Sequence, residues 1–175
     1  AVAAAVQWPI GAEDQFKGQI DLVEMKAYLY DGNPNEDFKE VEIPADLVDL
    51  ANEKRELLID TLSQFDDDLA MLYLEGEEIP KDLIKSVIRK TTLGVQFFPV
   101  FCGSAFKNMG VKKMLDGVID YLPAPTDISA TKGTDSKGDE VDIHPTDDAP
   151  FAALAFKVVA DPFVGRLTYF RVYQG

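Results

Sequence analysis

Phe97-Phe98-Pro99-Val100-Phe101-Cys102-Gly103-Ser104-Ala105-Phe106-Lys107-Asn108-Met109-Gly110 is an apolar run that stops at a turn of small residues. Val111 to Leu122 follows it as an amphipathic helix, and Leu122-Pro123-Ala124-Pro125 ends that helix because proline cannot continue it and restricts the residue before. Strand, loop and helix in this order make a unit of the α/β class. Two readings of Gly103-Ser104-Ala105 stand side by side. It is a plain tight connection, or its small residues let backbone amides approach a ligand at the C-terminal end of a strand, where α/β sheets bind theirs.

Upstream of that unit, Val6 to Gly11 reads as a short strand ending at glycine, and Gly18 to Met25 alternates polar and apolar as a half-buried strand does. Ala27-Tyr28-Leu29-Tyr30 continues or pairs with it. Residues 31–37, DGNPNED, supply a turn, after which Phe38 to Ile43 alternates again, so a small antiparallel sheet is expected. Pro44 opens a helical stretch reaching Phe65, with Leu47, Leu50, Ala51, Leu58, Leu62 and Phe65 on one face. Glu53, Glu56, Asp60, Gln64 and Asp67 fall on the other within an arc of about 80°. A second helical piece covers Asp68 to Leu74 and ends near Gly76. A third begins after Pro80 and runs through Lys90, with a basic last turn that suits its C-terminus.

Downstream, residues 126–150 are polar and rich in Gly, Asp, Thr and Pro, which predicts a linker or exposed loop with at most a brief strand around Val141-Asp142-Ile143. Phe151 to Val159 and Leu167 to Tyr173 read as two strands joined by DPFVGR, the beginning of an all-β domain.

The 175 residues allow one domain or one and a half, and the composition, with 46% hydrophobic residues, is that of a folded chain. The formal charge of −14 argues against a broad nucleic-acid surface, since neutralising phosphates needs Lys and Arg, and favours a basic protein partner or simply solubility. Apolar stretches are too short to cross a membrane, and one cysteine cannot form an intrachain disulfide, so the cytoplasm is expected. The leading AVAAAV lacks both an initiator Met and a basic segment, so it is not expected to be a signal peptide; it predicts a chain that starts inside something larger.

The chemistry the sequence lacks is as informative as what it holds. No GxxxxGK[ST] phosphate loop is present, and Asp135-Ser136-Lys137-Gly138 matches DxxG only as a pattern in a polar segment without a preceding strand. His144, the single histidine, lies before Pro145 in that segment and reads as a spacer. Cys102 has no base placed near it and reads as an apolar filler. Asp66-Asp67-Asp68 lacks the ligand spacing of a calcium loop, so no metal site is expected. The acidic helical face has two readings: a solvated surface, or a stripe suited to a Lys-rich partner, where it would steer encounter more than add affinity.

Several long runs resemble bacterial elongation factor G. They are Cys102 to Val111, Met114 to Pro125, Pro9-Ile10-Gly11-Ala12-Glu13, Ile20 to Lys26, Ile43-Pro44-Ala45-Asp46, Phe151 to Val158, and Asp161-Pro162-Phe163-Val164-Gly165. The resemblance spans essentially the whole chain. It implies an internal piece of a translational GTPase that moves transfer and messenger RNA through the ribosome. The implied fold is α/β: an α+β subdomain over 1–95 inserted in a GTPase domain, the last strand and helix of that domain over 96–125, a linker over 126–149, and the first strands of a β-barrel over 150–175. The parent would bind GTP or GDP with Mg. This segment alone would hold neither and would catalyse nothing, because the phosphate loop, switches and NKxD element would lie elsewhere.

The resemblance further implies that Ser104, Ala105 and Phe106 contact the guanine base, a backbone amide donating to the base oxygen, although Phe106 stands where other GTPases often carry Lys or Leu. It implies that Glu53, Glu56, Asp60 and Asp67 dock the ribosomal stalk protein, with Gln64 where an acid is expected. The alternatives are a related translational GTPase of the ribosomal-protection or release-factor kind, and a non-enzymatic acidic interaction module.

Overall fold

The computed structural model describes residues 2–31 and 38–175; the turn expected over 31–37 falls, apart from Asp31, outside the described residues. The chain is of the α/β class and divides into two compact units, 1–122 and 123–175.

The first unit begins with β1 (Val2–Ala5), which the sequence reading leaves unassigned, and β2 (Gln7–Ile10). β3 (Gly18–Asp21), β4 (Lys26–Leu29) and β5 (Lys39–Val41) complete an antiparallel sheet in the order β2-β3-β4-β5. Its register sorts the side chains into rows. Trp8, Ile20, Ala27 and Val41 form an apolar row, while Pro9, Gln19, Tyr28 and Glu40 share the opposite face with Gln7, Asp21 and Lys26.

A 3-10 turn over Ala45–Leu47 leads into α1 (Val48–Ser63), which buries Ala51, Leu58, Ile59 and Leu62. The periodicity predicts one helix to Phe65 with its acidic face reaching Asp67, but the helix ends at Ser63. Asp66 caps a new one, α2 (Asp67–Glu75), by accepting from the Leu69 amide at 3.3 Å. Asp67 therefore opens α2 and is not on the α1 face. Gly76 ends α2 in the left-handed conformation at φ 70°, as a C-cap glycine does. α3 (Lys81–Leu93) then delivers the chain to β6 (Phe97–Val100), which pairs in parallel with β1, Val2 opposite Phe97 and Ala5 opposite Val100. Residues 2–5 thus belong structurally with the strand at 97–100 and not with the sheet that follows them.

After the turn at 103–110 comes α4 (Val111–Tyr121), which buries Gly117 and Tyr121. A Cβ at Gly117 would lie 2.2 Å from Phe101 Cζ, so the ring needs glycine there. One apolar core joins these elements, with Ile20, Leu22, Leu62, Leu69, Ile84, Ile88 and Phe97 shielded from solvent. Arg55 of α1 ties the helix layer to the sheet. Its guanidinium donates to the carbonyls of Leu22 at 2.6 Å and Val23 at 2.8 Å, and burial lowers its pKa.

The second unit is all β. The segment expected to be a linker contains a hairpin, β7 (Thr131–Thr134) with β8 (Glu140–Ile143), in which Lys132 pairs with Asp142 at 2.6 Å and Glu140 at 3.2 Å. Asp135-Ser136-Lys137-Gly138 forms its turn, with the Asp135 carboxylate accepting from the amides of Lys137 and Asp139. A longer hairpin follows, β9 (Ala152–Asp161) and β10 (Gly165–Gln174), with a register shift at Tyr169/Phe170. Asp161 closes its turn by accepting from the amides of Phe163 and Val164, which lowers the Asp161 pKa.

Replacing Arg55 by Met removes both bonds to the β3–β4 connection while keeping an unbranched apolar stem. The expected loss is about 2 kcal/mol of unfolding free energy, read by urea denaturation.

Candidate functional site: the turn at 103–110

Phe97 is fully buried and fixes β6, whose C-terminal end delivers Cys102 and Gly103 to the start of the turn. Ser104 and Met109 then close it by exchanging two backbone bonds, Ser104 N–H to Met109 O at 2.8 Å and Met109 N–H to Ser104 O at 3.0 Å. Inside this clasp the Asn108 amide donates to Ala105 O at 3.1 Å, and Asn108 takes φ 54°. Gly103 and Gly110 form its two feet. A Cβ on Gly103 would stand 2.7 Å from Met109 O, and one on Gly110 2.9 Å from Cys102 O, so the strands of the loop meet only without side chains. Gly110, at φ 84°, is also the residue from which α4 starts.

The clasp leaves the tip outside. Phe106 is fully exposed, and Ala105 and Lys107 beside it are exposed. Among the described residues, the amides of Ala105, Phe106 and Lys107 have no acceptor. The turn thus presents backbone donors above a hydrogen-bonded base, next to a depression of about 190 Å³ that Cys102, Ser104, Met109 and Met114 help to line. Donors held in this way can donate to a carbonyl edge of a ligand at little further ordering cost. The sequence-expected residues Ser104, Ala105 and Phe106 therefore stand together in one turn, Ser104 as part of its closure and the other two at its tip.

The acidic residues separate. Glu53, Glu56 and Asp60 line one groove of about 180 Å³ with Leu57 of α1 and Tyr73 of α2. Asp67 does not line it. Leu57 is 54% exposed, so the groove has an apolar floor between its acids. The Tyr73 phenol has its pKa raised, first by desolvation and then by Glu56 and Asp60. Sequence periodicity finds the three acids but misses Tyr73, because that residue arrives from a separate helix. Asp66, beside Asp67, is occupied as a cap and by Lys90 at 3.2 Å.

A third polar region lies where the Gln7, Asp21 and Tyr28 face of the sheet meets α4, around a cleft of about 430 Å³. Burial raises the Asp21 carboxyl pKa, while two backbone amides oppose that shift. Glu24 is lowered by the hydrogen bond from Lys85, despite some desolvation, and Lys81 adds to it. Lys113 of α4 lies over the rings of Tyr28 at 4.3 Å and Phe38 at 4.9 Å. Among the described residues, no cluster of His, Cys, Asp or Glu is placed to hold a metal, and no helix is long and apolar enough to cross a membrane. His144 is exposed, its backbone amide bonded to the Gln174 side chain at 3.0 Å.

Cys102 sits at the foot of the turn, where burial pushes its thiol up to about 11 from 9.0. The thiol is then protonated near neutral pH. Its alkylation by iodoacetamide at pH 8 is expected to run on the order of 100-fold slower in the native chain than in urea, with the two rates converging above pH 11.

No family model matches the sequence. A crystal structure of a protein from Thermus thermophilus is similar over 99% of this chain, with 26% sequence identity and a TM-score of 0.72. This chain spans 23% of that protein's length.

Proposed function

We propose that this chain is an internal segment of a ribosomal translocase GTPase of the elongation factor G kind, in which the turn at 103–110 forms the guanine-facing wall of the nucleotide site. The observation that carries the reading is the pair of acceptor-free amides at Ala105 and Phe106, held out by the Ser104–Met109 clasp at the C-terminal end of a parallel strand. The sequence runs given above agree with it. So do the apolar groups left uncovered on β6 and α4, among them Phe98, Val100, Leu115 and Ile119, which suit further packing against the rest of a larger domain.

The residues present fit a guanine base and nothing beyond it. Small side chains at Ser104 and Ala105 allow the backbone to reach the base oxygen, while this sequence has no phosphate loop for the triphosphate or its Mg. In the full-length protein, GTP hydrolysis would supply the free energy for movement on the ribosome. This segment contributes base recognition and no reacting group. Ala105→Val adds bulk at an exposed tip and leaves the core alone. In the full-length protein it is expected to weaken GDP binding by on the order of tenfold in calorimetric titration, whereas unchanged affinity counts against the reading.

The groove on α1 and α2 supports a second role, docking of the ribosomal stalk protein, and equally the non-enzymatic alternative in which that contact is the whole function. Three acids around Leu57 and Tyr73 suit a partner with lysines flanking an apolar residue. Asp60→Lys is expected to slow association with the stalk protein's C-terminal domain and to flatten its salt dependence, read by stopped-flow mixing at two ionic strengths. Stalk binding without any GDP binding by the full-length protein would favour the non-enzymatic alternative.

A further inference from the structure

We infer that Gln19 is a positioning residue for the turn, setting the height of its tip against the guanine base; the inference rests on the base-contact reading above. Gln19 stands in the middle of β3, between Pro9 and Tyr28, and is fully shielded from solvent. Neither end of its carboxamide has a hydrogen-bond partner. Buried amides left in this way carry their full desolvation penalty, so a glutamine is an unfavourable choice here unless it finds a partner.

The geometry gives that partner. Gln19 Oε1 lies 3.1 Å from the point a Cβ on Gly110 would occupy, so the acceptor abuts the backbone of the turn's second foot. Gly110 is itself buried, and among the described residues its amide has no acceptor. A carboxamide and an amide, both buried, both unpaired and adjacent, need only a small shift of the foot to bond. Gly110 faces Gly103 across the base of the loop, and the Ser104–Met109 clasp stands directly above them. Closing Gln19 Oε1 onto the Gly110 N–H therefore moves the clasp and the Ala105 and Phe106 amides as one body.

Gln19→Met keeps the length of the side chain and removes the amide, and Gln19→Leu does so with a branched core residue. In the full-length protein, both variants are expected to bind GDP about threefold to tenfold more weakly than the wild type. Both should bind the diphosphate of 2-aminopurine riboside, which lacks the base oxygen, as the wild type does. Equal loss for both nucleotides would mark a merely structural role and overturn the inference, as would unchanged GDP affinity. If the wild-type protein does not prefer GDP to the analogue, the base-contact reading itself falls and takes the positioning role with it. A separate readout addresses the contact alone: in the 175-residue chain, amide exchange at Gly110 is expected to quicken by on the order of tenfold in Gln19→Met at an undiminished unfolding midpoint. Unchanged exchange there removes the Gln19 contact whatever the nucleotides do.

Discussion

The parallel ladder between β1 and β6 is the constraint on which the first unit depends. It brings residues 2–5 beside 97–100, and everything between is an excursion that must leave and return at one place. Bringing such distant segments together costs loop-closure entropy, which grows slowly with length but is met before any contact rewards it. The reward comes at the seam. Val6 donates to Val100 O and Leu22 donates to Val6 O, both at 3.0 Å, so the ladder continues directly into the sheet, and Phe97 is sealed beneath it. Because β6 is held on this seam, so is the turn that leaves its end.

The antiparallel sheet does two different jobs with its two faces. The row Trp8, Ile20, Ala27 and Val41 joins the apolar core, with Lys54 of α1 at 4.8 Å over the Trp8 ring. The face carrying Gln7, Gln19, Asp21 and Tyr28 meets α4 and is polar although largely buried. Burial of this kind adds little stability, since desolvation offsets most of what each contact returns. What it adds is directional: the contacts of Lys113 with two rings and of Arg89 with Asp120 O at 2.8 Å fix α4 by angle and distance. α4 and the turn at its head are thus held by specific polar contacts, with Gly117 and Tyr121 as its buried residues.

How much of this the sequence discloses depends on whether a residue's environment is local. β6, the turn and α4 are legible because an apolar run, a cluster of small residues and an amphipathic period lie in continuous sequence. β1 is not, since Val2-Ala3-Ala4-Ala5 has little strand propensity of its own and becomes a strand because β6 offers it an edge. The hairpin of β7 and β8 hides behind polar composition, its strands carrying exposed charge on both sides of the pairing. Gln19 is the sharper case. Alternation places it on the polar side of β3, which reads as solvent-facing, and only the turn at 103–110, arriving from far along the chain, brings Gly110 against it. Asp67 fails for the opposite reason: the 3.6-residue count runs smoothly past a break that Asp66, capping the next helix, had signalled locally.

α3 is the element through which the acidic groove and the turn have to communicate if they do so at all. At one end Lys90 pairs with Asp66, the cap of α2; near the same end Arg89 donates to the carbonyls that close α4, where a cation also suits the helix dipole. These links differ in strength. The Lys90 side chain is 69% exposed, so its pairing with Asp66 is screened by solvent and yields easily. Arg89 instead reaches several backbone carbonyls at once, Asp120 O at 2.8 Å with Ile119 O at 3.4 Å and Leu122 O at 3.5 Å. A partner pulling on α2 would therefore loosen the Lys90 link before it displaced α4. A partner bound in the groove, as proposed above, would therefore leave the turn, clasped by Ser104 and Met109 and footed on Gly103 and Gly110, in its place.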